Sequence, residues 1–153
     1  MNRALIKEDV TGEYREAAAP GAGEITYEDG YRHKGHQAEI DMAGWLHSVF
    51  GGDLLLLKEA EKDSVKRPDY MWNRSLWELK SASSINGADK LLQYAIKQIQ
   101  DNPGGVVLNM LEAVDMEALE CQLTRRARRS KSSGFDLMIL LKGELTKVLR
   151  YKK

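Results

Sequence analysis

Residues 68–82 read PDYMWNRSLWELKSA, and this stretch decides the fold. Pro68 has no N–H to donate, which suits the first position of a strand, and a short extended piece follows over Asp69 to Trp72. Asn73-Arg74-Ser75 reads as a turn and Leu76 to Ala82 as the returning strand. Side chains alternate across a strand, so Glu78 and Lys80 share one face while Trp77 and Leu79 take the other. A tight hairpin brings Asp69 close to the Glu78 end of its neighbour. Taken singly these signals are ordinary: Glu-x-Lys is a common cross-face ion pair, and Pro-Asp is common turn chemistry.

Working outward, His36 to Phe50 has a helical period stopped by Gly51-Gly52. Leu54 to Leu57 is a short, bounded apolar run that suits a buried strand. After the hairpin, a helix is expected from Gly87 to Gln100, ending before Asn102-Pro103-Gly104. Strand Val106 to Met110, helix Met116 to Ala127 and strand Phe135 to Leu141 follow. A Gly143-Glu144 turn then leads into a last strand, Leu145 to Tyr151. The order α-β-β-β-α-β-α-β-β predicts an α/β (α+β) fold, a single domain with a mixed central β-sheet flanked by helices. Residues 1–34 are polar, carry AAAPGAG, and read as a leader or linker with little regular structure beyond a short strand near Ile25 to Tyr27. The folded unit is expected to span 35–153.

The 153 residues are enough for one domain with a real core, and 42% hydrophobic with 30% charged residues is ordinary for a globular chain. Formal net charge is zero, so there is no global basic field and any nucleic-acid surface must be a local patch. Cys121 is the single cysteine. That excludes an internal disulfide and a cysteine-rich zinc site, and its helical setting predicts a half-buried structural thiol. No apolar run approaches the ~20 residues that span a bilayer. MNRALIKEDVTGEY lacks the long apolar segment of a secretory signal. A cytoplasmic protein with no membrane partner is expected; a module of a larger exported protein would read the same way.

Glu39 is the conspicuous residue of the first helix. Met42, Ala43, Leu46 and Phe50 fall on the same side of the helical wheel, so a carboxylate stands in the stripe that should face the core. Left unpaired there it costs several kcal/mol on general grounds, on the order of what any buried lone charge costs. Either a structural lysine or arginine, or a metal ion, should meet it. With Asp69 and Glu78 on paired strands, three carboxylates and Lys80 make an oxygen-rich pocket of the kind Mg²⁺ or Mn²⁺ takes, with water and substrate phosphate completing the shell. Lys80 would then orient or deprotonate the attacking water or neutralise charge growing on phosphorus.

Glu39, Pro68-Asp69 and Glu78-Leu79-Lys80 together resemble the signature of the PD-(D/E)xK nuclease superfamily, whose core is a helix, a three-stranded antiparallel sheet, a helix and a further strand. More narrowly, His36 to Lys153 resembles the C-terminal transfer-RNA-cleaving toxin domains of contact-dependent growth inhibition (CDI) proteins. That likeness rests on AEIDMAGWLHSVFGGDLLLL, PDYMWNRSLWELKSASS, the amphipathic helix leading to VVLNM, and DLMILLKGELTKVLRYKK. The resemblance implies a catalytic set of Glu39, Asp69, Glu78 and Lys80, with Glu39, Asp69 and Glu78 as metal ligands. It also implies a divalent cation (Mg²⁺ or Mn²⁺, with Zn²⁺ as the alternative) and RNA as substrate, transfer RNA first and DNA second. A cognate immunity protein and action in the cytoplasm of a target cell complete the expectation.

Weaker candidates surround this set. Lys90, Gln93 and Lys97 share the polar face of the second helix and could touch phosphate, or simply face solvent. The run Arg125-Arg126-Ala127-Arg128-Arg129-Ser130-Lys131 offers a local positive patch, or answers the negative pole of a helix end. Trp72 or Tyr70 could stack on an unpaired base, or pack in the sheet. His36, one turn before Glu39, could assist a metal or a proton transfer. His33 and His47 have no evident partner. Gly-rich phosphate loops, Ser-His-Asp arrangements and Cys-His zinc spacings are absent from the sequence. Two other readings stay open: a DNA endonuclease of phage or mobile-element origin, and a non-catalytic binding module on the same fold.

Overall fold

The hairpin of residues 68–82 sits near the middle of a mixed eight-stranded sheet. A computed structural model describes residues 4–60 and 66–153. Residues 1–3 of the expected leader and 61–65 of the expected 35–153 unit lie outside the described range. The strands are β1 (Ile6–Asp9), β2 (Ile25–Tyr27), β3 (Leu54–Leu56), β4 (Tyr70–Trp72), β5 (Ser75–Ala82), β6 (Pro103–Met110), β7 (Gly134–Leu141) and β8 (Glu144–Lys152). The helices are α1 (Thr11–Ala17), α2 (Gln37–Val49), α3 (Ile85–Gln98) and α4 (Met116–Arg129). Sheet order is β1-β8-β7-β6-β5-β4-β3-β2. β3, β4 and β5 run antiparallel to their neighbours in that group, whereas β5, β6 and β7 are parallel. The chain is a single α/β domain with helices on both faces of the sheet.

Alternation along the central strands creates two cores. Val106, Leu108, Leu137 and Ile139 pack with Leu92 and Ile96 of α3 and Leu119 and Leu123 of α4. Val107, Met138 and Leu140 point the other way and pack with Ala43, Leu46 and Phe50 around α2. Each fully buried large side chain contributes roughly 1.5–3 kcal/mol, so the two layers clamp the sheet from both sides. α3 begins cleanly because the Ser84 side chain accepts from Gly87 N–H at 3.0 Å. α4 begins likewise, with Asp115 accepting from Ala118 N–H at 3.0 Å.

Two turns set the register. Asn73 and Arg74 both have positive φ, 49° and 73°, the two-residue hairpin geometry that matches strand twist. Asn73 Oδ1 also accepts from Asp53 N–H at 3.0 Å, fastening the turn to β3. The β7–β8 turn is Lys142-Gly143, with φ of 50° and 82°, one residue earlier than the expected Gly143-Glu144. The pair Leu141↔Glu144 closes it.

The N-terminal stretch differs from its sequence reading. Little regular structure was expected before residue 35, yet β1 pairs antiparallel with β8 and α1 follows at once. All four β1 residues are exposed and α1 buries none of its own, so no apolar period marks them. Their anchors are Leu5 and Val10, both buried, which bracket the strand. The expected strand near Ile25 to Tyr27 is β2. Cys121 is exposed rather than half-buried, because it lies on the side of α4 away from Leu119 and Leu123. Among the described residues no helix is long and apolar enough to cross a membrane.

Candidate functional site

The β4–β5 register places the acidic residues. Tyr70 pairs with Trp77, so Asp69, one residue before β4, stands beside Glu78. Asp69 N–H donates to Glu78 Oε1 at 2.9 Å, and Leu79 N–H donates to Asp69 Oδ2 at 2.8 Å. Glu78 Oε2 lies 2.9 Å from Lys80 Nζ. Alternation explains that last contact: Leu76 and Ala82 pack in the α3 core, so Glu78 and Lys80 between them face α3 as well. Glu78 is 2% exposed, a charge held in the sheet by one lysine and one backbone N–H.

Glu39 arrives from the opposite layer. The Tyr70 hydroxyl donates to the Glu39 backbone carbonyl and ties the first turn of α2 to β4. The Glu39 side chain is half-buried and makes no ion pair among the described residues. A single pocket of about 460 Å³ is lined by His36, Glu39, Asp69, Glu78 and Lys80 together with Tyr31. All four residues of the expected catalytic set, and His36, therefore meet in one place.

Electrostatics in the pocket follow from burial and crowding. Burial pushes the Asp69 carboxyl up to about 9, helped by the hydrogen bond and negative charge of Glu78 beside it. Burial, reinforced by the charges of Glu39 and Asp69, raises the Tyr31 hydroxyl to about 12. His36 is held above its ordinary value by its contact with Glu59, 2.8 Å from Nε2, and by the Arg32 carbonyl, 2.7 Å from Nδ1.

Among the described residues no group of three or more His, Cys, Asp or Glu side chains is gathered tightly enough to hold an ion as placed. Asp69 and Glu78 are adjacent, each carboxyl fixed by a backbone N–H. That pair of hard oxygen donors fits a cation such as Mg²⁺, which takes one or two carboxylates and completes its shell with water and phosphate. Glu39 lines the same pocket as an additional oxygen donor. His36, the nitrogen ligand a Zn²⁺ ion would favour, has both ring nitrogens engaged.

The weaker candidates separate. Gln93, Lys97, Arg126 and Arg129 line a cleft between α3 and α4. Arg126 is already spent on Asp89, with Nε to Oδ1 at 3.0 Å and Nη2 to Oδ2 at 2.7 Å. Arg128 Nε donates to the Leu5 carbonyl at 3.1 Å, and Lys90 and Arg125 are exposed away from the pocket. Tyr70 and Trp72 are buried, at 0% and 4% exposure, so they pack in the sheet and offer no face to a base. His33 stacks near Tyr27, ring centroids 4.6 Å apart, and His47 Nε2 lies 2.9 Å from the Gly23 carbonyl.

Sequence reasoning missed Tyr31, Lys66 and Arg67 in the pocket wall. Arg67 directly precedes Pro68 and pairs with Glu28 at 2.7 Å; its place beside the Pro-Asp pair was the available signal. Tyr31 lies in a stretch without periodicity and carried none.

Neither a protein-family model nor a curated protein sequence matches the chain. Among solved structures, it is similar to a chain of the CdiA-CT/CdiI toxin and immunity complex from Burkholderia pseudomallei, with a TM-score of 0.50 and 11% identity. The match covers 80% of this chain and 97% of that one. At that identity the likeness is one of fold.

Proposed function

We propose that this chain is a metal-dependent nuclease of the PD-(D/E)xK kind, acting as a toxin domain that a cognate immunity protein neutralises. The observation that carries the reading is the convergence of Glu39, Asp69, Glu78 and Lys80, from α2, the approach to β4, and β5, in one pocket. The element order α2, antiparallel β3-β4-β5, α3, parallel β6 supports it. A purely structural role gives no reason to aim three carboxylates at one cavity. The toxin setting and the immunity partner draw on the fold likeness to a toxin and immunity complex. Transfer RNA is the favoured substrate and DNA the alternative.

In this reading Asp69, Glu78 and Glu39 would hold a divalent cation, which when bound supplies a Lewis acid for the phosphoryl oxygen and lowers the pKa of water. The residues then have separate duties. Glu78 anchors Lys80, keeping its ammonium at the pocket wall, where it can orient the attacking water or offset charge building on phosphorus. The two backbone N–H bonds that lock Asp69 to β5 fix the carboxylates before substrate arrives, so little reorganisation is needed. Tyr31 keeps its proton throughout the physiological range and can donate toward the pocket.

The test is incubation of the purified protein with total RNA and with plasmid DNA, each with Mg²⁺, with Mn²⁺ and with chelator. Cleavage of either substrate that needs metal and is lost in Glu78→Gln and Asp69→Asn is expected. Cleavage that survives both substitutions would overturn the site, and no cleavage under any metal would overturn the enzyme reading.

A further inference from the structure

The acidic pocket does not end at Lys80. Lys66 and Lys80 line it and also line a second cleft of about 650 Å³ along α3, which reaches Tyr94, Lys97 and Gln100. Lys97 and Gln100 in turn line a third cleft of about 640 Å³ between α3 and α4, with Arg129 and Lys131 on its far wall. Lys66 and Lys80 are common to the first two clefts and Lys97 and Gln100 to the last two, with Lys97 on the crest of α3 between them, so the three lie in sequence from the carboxylates over α3 to the C-terminal end of α4.

That path is positive although the chain is neutral. Its second and third clefts hold Lys66, Lys80, Lys97, Arg126, Arg129 and Lys131 against the single carboxylate of Asp101. Lys80 and Arg126 are held by Glu78 and Asp89. Lys97, Arg129 and Lys131 are exposed, and none is ion-paired among the described residues. Helix-end dipoles favour a cation in each last turn, which accounts for Lys97 or Arg129 singly. It does not account for cations from two helices and the following loop converging on one groove, where they repel one another.

We propose that this groove is the track for the phosphodiester chain on one side of the scissile bond, with Lys97, Arg129 and Lys131 contacting successive phosphates. The proposal rests on the nuclease reading and deepens it: the contacts are to backbone, so the track supplies affinity and direction without sequence preference. An acidic peptide would also meet the lysines, but its carboxylates would run into Glu39, Asp69 and Glu78 at the end of the path. A phosphodiester presented with a divalent cation would not be repelled there. Arg126 is a positioning residue: its bond to Asp89 holds α4 against α3 and so sets the groove.

The experiment uses the full chain. Binding of a fluorescent 12-nucleotide RNA and of the matching single-stranded DNA is measured by anisotropy over a salt series, in the Glu78→Gln background. The comparison is between the triple variant Lys97→Gln/Arg129→Gln/Lys131→Gln and the charge-matched Arg15→Gln/Lys142→Gln/Lys153→Gln, whose residues are exposed and line none of the three clefts. The track variant should lose about tenfold or more in affinity at low salt. Its log–log salt slope should fall by about 2, three single-strand phosphates at ~0.7 each, while the matched variant stays near the parent. With Glu78 restored, the track variant should cut oligonucleotides more slowly yet hydrolyse bis(p-nitrophenyl) phosphate, too small to reach the groove, at the parental rate. Equal loss in both triple variants, or no loss in either, overturns the track. If no substrate is cut by the parent but the track variant alone loses binding, the nuclease reading fails and the track stands. If cutting is normal in the track variant, the track fails and the nuclease reading stands.

Discussion

Asp69 and Glu78 hold each other across the β4–β5 hairpin: the Asp69 backbone N–H binds the Glu78 carboxylate at 2.9 Å, and the Asp69 carboxylate binds the N–H of Leu79 at 2.8 Å. Each acid is therefore fixed by the other's strand, and the site is as rigid as the sheet register. Lys80 completes the arrangement through the remaining Glu78 oxygen.

Removing one member of the Glu78–Lys80 pair should cost both activity and stability. The lysine and glutamate side chains are 12% and 3% exposed, and breaking a buried pair leaves a lone charge, at roughly 3 kcal/mol. Lys80→Met alone is expected to lower the urea midpoint and abolish cleavage. The double variant Glu78→Gln/Lys80→Met should regain most of the midpoint while staying inactive. A double variant as unstable as the single one would show that the pair is not the source of the loss.

The raised Asp69 pKa gives the metal-free protein a distinctive pH dependence. A carboxyl ordinarily near 3.8 that is pushed up to about 9 by burial and by Glu78 binds its proton more tightly when folded. Its contribution is fully present below 3.8 and is lost as pH rises through about 9. In chelator, the thermal midpoint of the wild type should therefore drift downward between those limits relative to Asp69→Asn, which has no proton to lose. Mg²⁺ should raise the wild-type midpoint and leave Asp69→Asn nearly unmoved. Parallel pH curves for the two proteins would contradict the assignment.

Asp89 predicts the opposite slope. Its bond to Arg126 holds its carboxyl below the ordinary 3.8, so its stabilisation is present above that value and fades as pH falls through the lowered one. Asp89→Asn should cost about 2 kcal/mol at pH 7, the scale of a charge-assisted hydrogen bond. The difference should shrink toward zero in acid, as read by urea melts at several pH values.

Two glycines of the α2 region should respond in opposite directions. Gly51 has φ +73° and a Cβ there would sit 2.0 Å from the Ala19 carbonyl oxygen, so Gly51→Ala should destabilise by about 2 kcal/mol or more. Gly44 lies within α2 with nothing near its Cβ position, and Gly44→Ala should stabilise by about 0.5–1 kcal/mol. Thermal midpoints of the two variants check both signs.

What the sequence disclosed follows from where the signal was strong. α3 was legible because Leu92, Ala95, Ile96 and Ile99 repeat at helical spacing and are all buried. The hairpin was legible because Asn73-Arg74 interrupts two apolar-alternating runs. β1 and α1 were not, since they are held by long-range bonds such as Val148 N–H to Thr11 Oγ1 at 2.9 Å, which leave no local pattern. The carboxylate pocket could be assembled from spacing and resemblance. Its basic extension was legible only in parts: Lys97 and the Arg125–Lys131 run each read as a phosphate contact or an ordinary charged surface, and they come together only once α3 and α4 pack.

The pairing of Ile6 with Lys152 has a practical consequence for handling the molecule. The start of β1 and the end of β8 lie side by side at one edge of the sheet, while β3, β4 and β5, which flank the carboxylates, occupy the other half. Ile6 and Lys152 therefore share one corner of the molecule, on the half of the sheet away from the carboxylates. Bridging those two ends with a short linker and reopening the chain at the Lys142-Gly143 turn should give a circularly permuted molecule with the same pocket.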